Sequence, residues 1–345
     1  MRSNALLSLR PVKNSGAALI IALLIVATVT GLAISFATDF QLSAARSENR
    51  WHGAQAREYL LAGEDFAIVA LNEDEDKDID ILEDVWAQGL PRTPIEGGWI
   101  EGFIEDGQGR FNLNSLAGKA TINKNQTVED WQKYTAPQRR FIRLLQSFED
   151  VPVDLGQAEE IIAAVIDWLD EDDEQSGFGG AESEYYLDQE IPYRCANQLM
   201  KSASELRLVK HMEPKLFRAL SPFIIALPAK AAINVNTALP RVMRTINRQD
   251  DLEPLTELDG ETMVDERGDE GFKDVAGFLA SSIPEQVSQQ AGDVPSKGLA
   301  VQSSLYILRA NVEMGRQRRS TTTLLQRDDN DENKAKVLWR SDNEL

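Results

Sequence analysis

The chain has very few of the side chains that most often build disulfides, zinc sites or nucleophilic active sites. It has one cysteine, Cys195, so no disulfide can form within the chain, and its two histidines, His52 and His211, lie far apart in the sequence. A zinc site of the histidine–cysteine type is therefore not expected. Neither histidine lies near a sequence typical of a nucleophile elbow. The lone cysteine does not identify the compartment, because an oxidising environment permits disulfides without requiring them.

Positive charge is also scarce. The 345 residues include 36 lysines and arginines against 56 aspartates and glutamates, which gives a net charge of −20. Such a chain has no basic face of the size that binding to a phosphate backbone requires, so nucleic acid is not an expected partner. The acidic composition suits a domain outside the cytoplasm or a protein that binds cations.

What the sequence does contain is a long uncharged run near its start. Residues 14–38 have no charged side chain and follow a leader with Arg2, Arg10 and Lys13 but no acid. The run is long enough to cross a bilayer as a helix. The preceding positive charges predict a cytoplasmic N-terminus, with the rest of the chain outside.

The position of Gly16 favours one kind of processing. A secretory signal normally has its small residues after a shorter apolar core, whereas Gly16 precedes the apolar run. Cleavage after Gly16 would remove the leader, residues 1–16, and leave the hydrophobic helix on the mature protein. A type IV prepilin-like signal has this arrangement. An uncleaved single-pass anchor is the alternative.

Helical periodicity continues beyond the apolar run, since apolar residues recur at intervals of three, four and seven to about residue 72. We expect one helix of roughly 80 Å, apolar all round over 17–38 and amphipathic over 39–72. A membrane anchor joined to a second helix by a bend is the alternative. The acidic stretch 72–84 is more typical of a solvated linker than of a metal site.

The remaining chain alternates between strand and helix signals. Residues 97–113 predict a β-hairpin that turns at 106–109, and residues 127–226 predict several amphipathic helices. A short strand at 231–238, a helix at 271–282 and three antiparallel strands within 303–342 follow. Because strands flank the helical block, the predicted class is α+β. Residues 73–121 and 229–345 would form an antiparallel β-sheet head, and residues 122–228 an inserted α-helical domain.

The densest polar cluster predicts a cation site. Six carboxylates fall within 18 residues that also include a Gly-rich stretch: Asp167, Asp170, Asp172, Asp173, Glu182 and Glu184. So many like charges repel one another unless a hard cation lies among them, and calcium accepts six to eight oxygens with tolerant geometry. The spacing is not that of an EF-hand, because positions six and twelve from Asp170 are Gln175 and Ala181. A solvated acidic loop is the alternative, and an acid/base pair of carboxylates would need a cleft that the sequence does not indicate.

Taken together, these residues resemble the minor pseudopilin K family, general secretion pathway protein K, of type II secretion systems. The resemblance covers nearly the whole chain. It depends on the prepilin-type N-terminus that ends at Gly16, followed in order by "DGQGRFNLN", "IDWLDEDDEQSGFGGAESEYY", "IPYRCAN", "SASELRLV" and "INVNTA".

The resemblance implies a pilin-like fold and a role in assembly rather than catalysis. A prepilin peptidase would cleave after Gly16 and methylate the amine of Ala17. Most pilin-like subunits have glutamate at mature position five, where it pairs with the amine of the subunit ahead; here that residue is Ile21. Family K members share this departure and are placed at the filament tip, where no subunit lies ahead.

The implied partners are minor pseudopilins I and J, pseudopilin H through them, the inner membrane, and further contacts with the major pseudopilin and secretion-platform proteins. The complex would prime a periplasmic pseudopilus that exports folded proteins across the outer membrane. Family members bind calcium in the helical insertion, which maps onto Asp170, Asp172, Asp173, Glu182 and Asp188; Ser183 replaces one acidic residue of the family pattern. The competing interpretation is a membrane-anchored, calcium-dependent enzyme or binding module of the cell envelope.

Overall fold

The described part of the chain starts with a helix that is several times longer than any other described helix. A computed structural model describes residues 15–74, 76–120, 129–228, 231–288, 294–327 and 334–342. Helix α1 spans Ser15–Asn72, 58 residues or about 87 Å. This confirms the prediction of a long N-terminal helix, which runs without a break between its apolar and amphipathic parts. Its first half is exposed on all sides.

The second half of α1 packs on an antiparallel sheet. Ala56, Leu60, Ala67 and Leu71 are buried there at helical spacing. The five strands lie in the order β1-β2-β7-β8-β9. Their bounds are β1 Leu90–Ile95, β2 Gly98–Asp106, β7 Leu305–Met314, β8 Gln317–Arg327 and β9 Ala335–Ser341. The predicted three-stranded meander is therefore confirmed.

The predicted hairpin over 97–113 is wrong in its pairing. Strand β2 pairs with the preceding strand β1 and with β7, not with residues 111–113. Pro91 and Pro94 hide β1 in the sequence, but an edge strand tolerates proline because one side of it needs no ladder hydrogen bonds. At the predicted turn, Asp106 caps a short 3-10 helix, Gly107–Gly109, that leads the chain out of the sheet.

Between β2 and β7 the chain builds a second unit, which we call the helical body. Its longer helices are α2 Ala136–Gln146, α3 Leu155–Leu169 and α7 Glu257–Arg267. Its shorter helices are α4 Ser183–Leu187, α5 Pro214–Leu220, α6 Pro240–Met243, α8 Val275–Ser281 and α9 Glu285–Ser288. Two-residue parallel pairs join β3 Phe111–Asn112 to β4 Ile224–Ile225, and β5 Ile233–Asn234 to β6 Leu299–Ala300. The strand expected at 231–238 is thus limited to β5.

The helical body is larger than the segment 122–228 predicted from the sequence. One hydrophobic core joins Phe141 and Ile162 to Val242, Met263 and Phe278. The described residues of 231–288 and 294–300 therefore pack mainly with the helices, although the prediction from the sequence assigned them to the head. The second core cluster contains α1 and the sheet.

The body connects to one end of the head. Asp106 and Tyr306 are paired at the end of β2 and β7 where the chain leaves and rejoins the sheet. The same end of the sheet lies beside the end of α1, because Arg327 contacts Asp74 at 3.2 Å. At the opposite end, the turn at Gly315 lies against His52, earlier on α1. The connection between body and sheet is therefore at the end away from the apolar half of α1.

Candidate metal centre

The acidic loop begins at the end of α3. Asp154 and Gln157 form a capping box at the start of this helix, and Asp170 caps its end. Asp167, in the last turn, is fully buried, and its Oδ1 accepts a hydrogen bond of 2.8 Å from the backbone N–H of Ser176. The helix therefore holds the loop against its own last turn.

Two glycines allow the loop to approach α3 closely. A Cβ on Gly179 would lie 2.2 Å from the Cα of Glu160, and one on Gly180 would lie 2.3 Å from Oδ2 of Asp167. Neither separation is possible for real atoms. The "GFGGA" stretch is thus explained by steric contact with the helix.

Three carboxylates converge where the loop meets α4. Asp170, Asp172 and Glu182 each offer an oxygen within 4.8 Å of the other two. Six nearby oxygens are buried without a hydrogen-bond donor: Oδ2 of Asp167, both carboxylate oxygens of Asp170 and of Glu182, and Oδ1 of Asn197. Buried polar atoms are normally paired. Calcium binds six to eight oxygens, and the converging carboxylates supply several of them without competing hydrogen-bond donors, so the residues present fit a hard cation.

The excess of negative charge in the loop also favours a bound cation. Burial first, and then the charges of Asp167, Asp170 and Asp173, raise the pKa of Glu182 to about 7. The pKa of Asp170 is raised, mainly by burial and then by Asp172. Lys119 partly offsets these charges: its Nζ lies 2.7 Å from Oδ2 of Asp172 and 3.6 Å from Oδ2 of Asp170.

The structure brings together three of the five ligands expected from the sequence. Asp173 lies at the rim, where its Oδ1 accepts a hydrogen bond of 3.2 Å from Asn197. Asp188 is exposed at the end of α4 and is not a member of the three-carboxylate group. The helix that starts at Ser183 displaces Asp188 by more than one turn from Glu182.

Two residues of this site, Asn197 and Lys119, were not predicted from the sequence. Asn197 adopts a positive φ of 46° and donates from Nδ2 to the carbonyl of Asp172 at 3.2 Å. Asn197 is the last residue of the motif "IPYRCAN", and this motif was the one sequence signal that could have identified it. Lys119 lies 53 residues before Asp172, and nothing local in its sequence indicates the contact.

Aromatic side chains from the end of α3, from α4 and from the chain after α4 pack against one another beside the loop. Trp168 and Tyr186 meet edge to face, and Tyr193 packs on Tyr186. The Cys195 thiol donates to the carbonyl of Asp167 at 3.3 Å. Burial raises the pKa of Cys195 to about 11, so the thiol is protonated at neutral pH and unsuited to nucleophilic chemistry.

A second acidic group lies within the stretch predicted to be a linker. Asp74, Asp80 and Asp84 converge, but Arg327 contacts Asp80 at 2.6 Å and Asp74 at 3.2 Å. Tyr306 donates a hydrogen bond to Asp80 as well. The guanidinium supplies the positive charge here, so this group is an ion-pair network rather than a cation site.

The predicted processing site lies at the start of α1. Gly16 and Ala17 are helical and exposed, whereas leader residues 1–14 lie outside the described residues. The helix contains a window with a mean hydropathy of 2.7, none of which is buried within the protein. By length and composition it is able to cross a membrane.

The chain matches proteins of type II secretion along most of its length. The family model for type II secretion system protein K matches residues 109–229. Protein K of Pseudomonas aeruginosa is 34% identical over 91% of this chain and 89% of its own, and protein K of Klebsiella pneumoniae is 31% identical over 91% and 93%. A chain in the crystal structure of the GspK–GspI–GspJ complex from enterotoxigenic Escherichia coli superposes with a TM-score of 0.70 at 25% identity, covering 87% of this chain and all of the other.

The identity and coverage of the curated relatives extend far beyond the region that the family model matches. The order of long helix, antiparallel sheet and inserted helical body agrees with the structural match. This chain belongs to the type II secretion system protein K family, one of the minor pseudopilin families of that system.

Proposed function

We propose that this protein caps the tip of the type II secretion pseudopilus and nucleates its assembly for the export of folded proteins across the outer membrane. The observation that supports this most directly is the position of the helical body. The body joins the head at the end away from the membrane-spanning half of α1. A subunit stacked ahead would have to share that space.

The start of α1 supports the same position. Ile21 occupies mature position five if cleavage follows Gly16, and a carboxylate within a membrane is costly unless it is paired. An isoleucine has no charge to pair and so needs no amine from a subunit ahead. The proposed helix contacts run through α1, where small residues such as Gly31, Ala33 and Ser35 permit close approach.

The proposed partners are minor pseudopilins I and J, with pseudopilin H joined through them and further contacts to the major pseudopilin and the secretion platform. The composition of the related complex supports I and J. The proposed location is the inner membrane, with residues before α1 in the cytoplasm and the head in the periplasm. The positive leader followed by an uncharged span supports this orientation.

We further propose that calcium binds the loop after α3. Asp170, Asp172 and Glu182 would be its carboxylate ligands and Asn197 an amide ligand, with Asp173 at the rim and Asp188 outside the set. The six buried oxygens without donors support this. When bound, calcium would supply the charge that fixes the loop between α3 and α4, which is a structural role.

Intact-mass analysis of the protein extracted from its native membrane tests the processing step. Cleavage by prepilin peptidase predicts the mass of residues 17–345 plus one methyl group on Ala17. A mass that includes the leader would contradict processing. It would favour the alternative of a simple membrane-anchored, calcium-dependent enzyme or binding module.

A further inference from the structure

A cleft lies between the sheet and the helical body, on the face of the sheet opposite α1. Its volume is about 640 Å³. The sheet wall includes Phe103, Leu324 and Trp339, and the body wall includes Phe217 and Pro222. The residues that line the cleft do not include those of the acidic loop.

The charge of this cleft is opposite to that of the whole molecule. Four cations line it, Arg110, Lys201, Arg207 and Arg309, and the carboxylate among its described lining residues is Glu105. The local balance of these groups is therefore +3, whereas the chain as a whole has a net charge of −20. Arg207 is held on the body wall, with its guanidinium 5.8 Å from the centre of the Phe217 ring.

Two hydrogen-bond donors on the sheet wall are unsatisfied. Arg309 and Thr322 are directly opposite one another on β7 and β8, so their side chains share the cleft face. Oγ1 of Thr322, a residue only 3% exposed, has no hydrogen-bond partner, and neither does Nε of Arg309. Glu105 forms a long ion pair with Arg309, at 3.5 Å from Nε, and already binds Arg110 at 2.5 Å.

An unsatisfied buried donor costs about 1–3 kcal/mol, and a ligand that accepts from it recovers that cost. A carboxylate accepts from a guanidinium and a hydroxyl together. A small hydrated anion would leave the aromatic and aliphatic walls wet, whereas a peptide can cover them. The walls and the donors therefore require a carboxylate and apolar side chains in one ligand.

We propose that the cleft binds an extended segment of a partner protein in which acidic residues alternate with aromatic or aliphatic ones. An acidic side chain accepts from Arg309 and Thr322, and an apolar neighbour packs against Phe103 and Trp339. This recognition requires neither calcium nor the tip position, so it can fail or hold independently of the proposed function.

The test measures fluorescence anisotropy with full-length protein in detergent micelles at about 0.15 M salt, which screens the acidic surface. The probe is a labelled, N-acetylated hexapeptide that alternates aspartate with phenylalanine. Its control has asparagine in place of each aspartate. The aspartate peptide is expected to bind at least tenfold more tightly.

Two variants assign the binding to the cleft. Arg309→Gln is expected to weaken the aspartate peptide about tenfold, whereas Arg92→Gln removes an equal charge from the exposed edge strand β1 and is expected to leave binding unchanged. Thr322→Val is expected to weaken binding severalfold without lowering the melting temperature, because its hydroxyl has no partner in the free protein.

Four results would overturn the proposal. One is no saturable binding to the unsubstituted protein at millimolar peptide, and another is equal affinity for the aspartate and asparagine peptides. The third is unchanged binding in both Arg309→Gln and Thr322→Val. The fourth is a lower melting temperature in Thr322→Val, which would show that the Thr322 hydroxyl has a partner in the free protein.

Discussion

Single residues determine whether the loop after α3 can hold a cation. Gly180 lies so close to Asp167 that no side chain fits between them, and Glu182 lies among four other acids. The carboxylates bring the negative charge, and the glycine permits the close approach that concentrates it. Loss of either feature should be visible in calcium binding before it is visible in the rest of the fold.

For Gly180→Ala we expect loss of calcium-dependent stabilisation. The added Cβ would lie 2.3 Å from Oδ2 of Asp167, so the loop must move away from α3. In the unsubstituted protein, a ligand that binds only the native state raises its melting temperature by mass action. The measurement is the melting temperature with saturating calcium and with chelator.

The matched control is Gly156→Ala in the first turn of α3. There the nearest side-chain atom would be 3.4 Å from the new Cβ, and alanine has the higher helix propensity. This variant should keep the full effect of calcium. An unsubstituted protein whose melting temperature is the same with calcium and with chelator would contradict the site.

The pH dependence follows from Glu182. With its pKa raised to about 7 in the folded, calcium-free protein and an ordinary value of 4.5, the folded state holds a proton that the unfolded state releases. This group therefore lowers stability as pH rises between about 4.5 and 7. Calcium requires the ionised form, so its affinity should fall by up to about tenfold per pH unit below 7.

Calorimetric titration of calcium at pH 8, 7 and 6 measures this dependence. Asp74 and Asp106, whose pKa values are also raised to about 6, shift stability in the same direction but lie outside the loop. Glu182→Gln distinguishes the pH-dependent stability that comes from the loop from that of Asp74 and Asp106. The variant keeps both of these carboxyls and removes the carboxyl of the loop. Calcium affinity that is constant from pH 8 to 6 would contradict the assignment of Glu182 as a ligand.

At this scale the sequence predicted the dense carboxylates but not their partners. Asp170, Asp172 and Glu182 were identifiable because many like charges in a short stretch require compensation. Lys119 and Asn197 come from segments 53 and 25 residues away from Asp172, and no local pattern records such contacts. Asp188 was included from the resemblance to the family, but α4 separates it from the three-carboxylate group.

At the scale of elements, α1 is attached to the sheet by a polar contact as well as by its apolar face. Glu64 is 5% exposed, and its carboxylate accepts hydrogen bonds from Arg340 on β9 at 2.5 and 2.8 Å. Thr323 on β8 donates to the same carboxylate at 3.1 Å. One side chain of the helix thereby connects two strands.

We expect Glu64→Gln to destabilise the head by about 1–3 kcal/mol, because an amide replaces one acceptor with a donor and loses the charge that pairs with Arg340. Chemical unfolding of the full-length protein in micelles, followed by tryptophan fluorescence, measures the change. Glu58→Gln, on the exposed face of the same helix, is the control. Equal effects of the two substitutions would show that the Glu64 contact adds nothing to stability.

The elements that the sequence predicted are those with regular apolar spacing. Helix α1 and strands β7, β8 and β9 have long periodic patterns. Helix α7 was missed because "ELDGETMVDER" buries only Gly260 and Met263 and includes a glycine. The predicted hairpin was wrong because residues 111–113 alternate as a strand would but pack in the helical body.

At the scale of the whole molecule, a buried carboxylate helps to join the body to the head, beside an apolar cluster that includes Ile225, Leu227 and Ile307. Oδ2 of Asp106 accepts hydrogen bonds from Ser303 at 2.6 Å, from Thr237 at 2.5 Å and from Asn234 at 3.0 Å. Thr237 and Asn234 belong to the body, which explains the role of "INVNTA" in the fold. The extent of the body could not be predicted, because residues 231–300 join its core only through contacts distant in sequence.

The proposed position of this subunit is the end of the filament, with its body facing away from the membrane. Ile191 is 80% exposed on the body, whereas the single native thiol, Cys195, is 8% exposed. Ile191→Cys therefore allows a gold particle to be attached to assembled pseudopili through a maleimide, with the unsubstituted protein as the background control.

Electron microscopy of such pseudopili is the most direct measurement. The proposal predicts one particle at one end of each filament and none along the shaft. Particles distributed along the shaft would contradict it, because the subunit would then have others of its kind ahead of it.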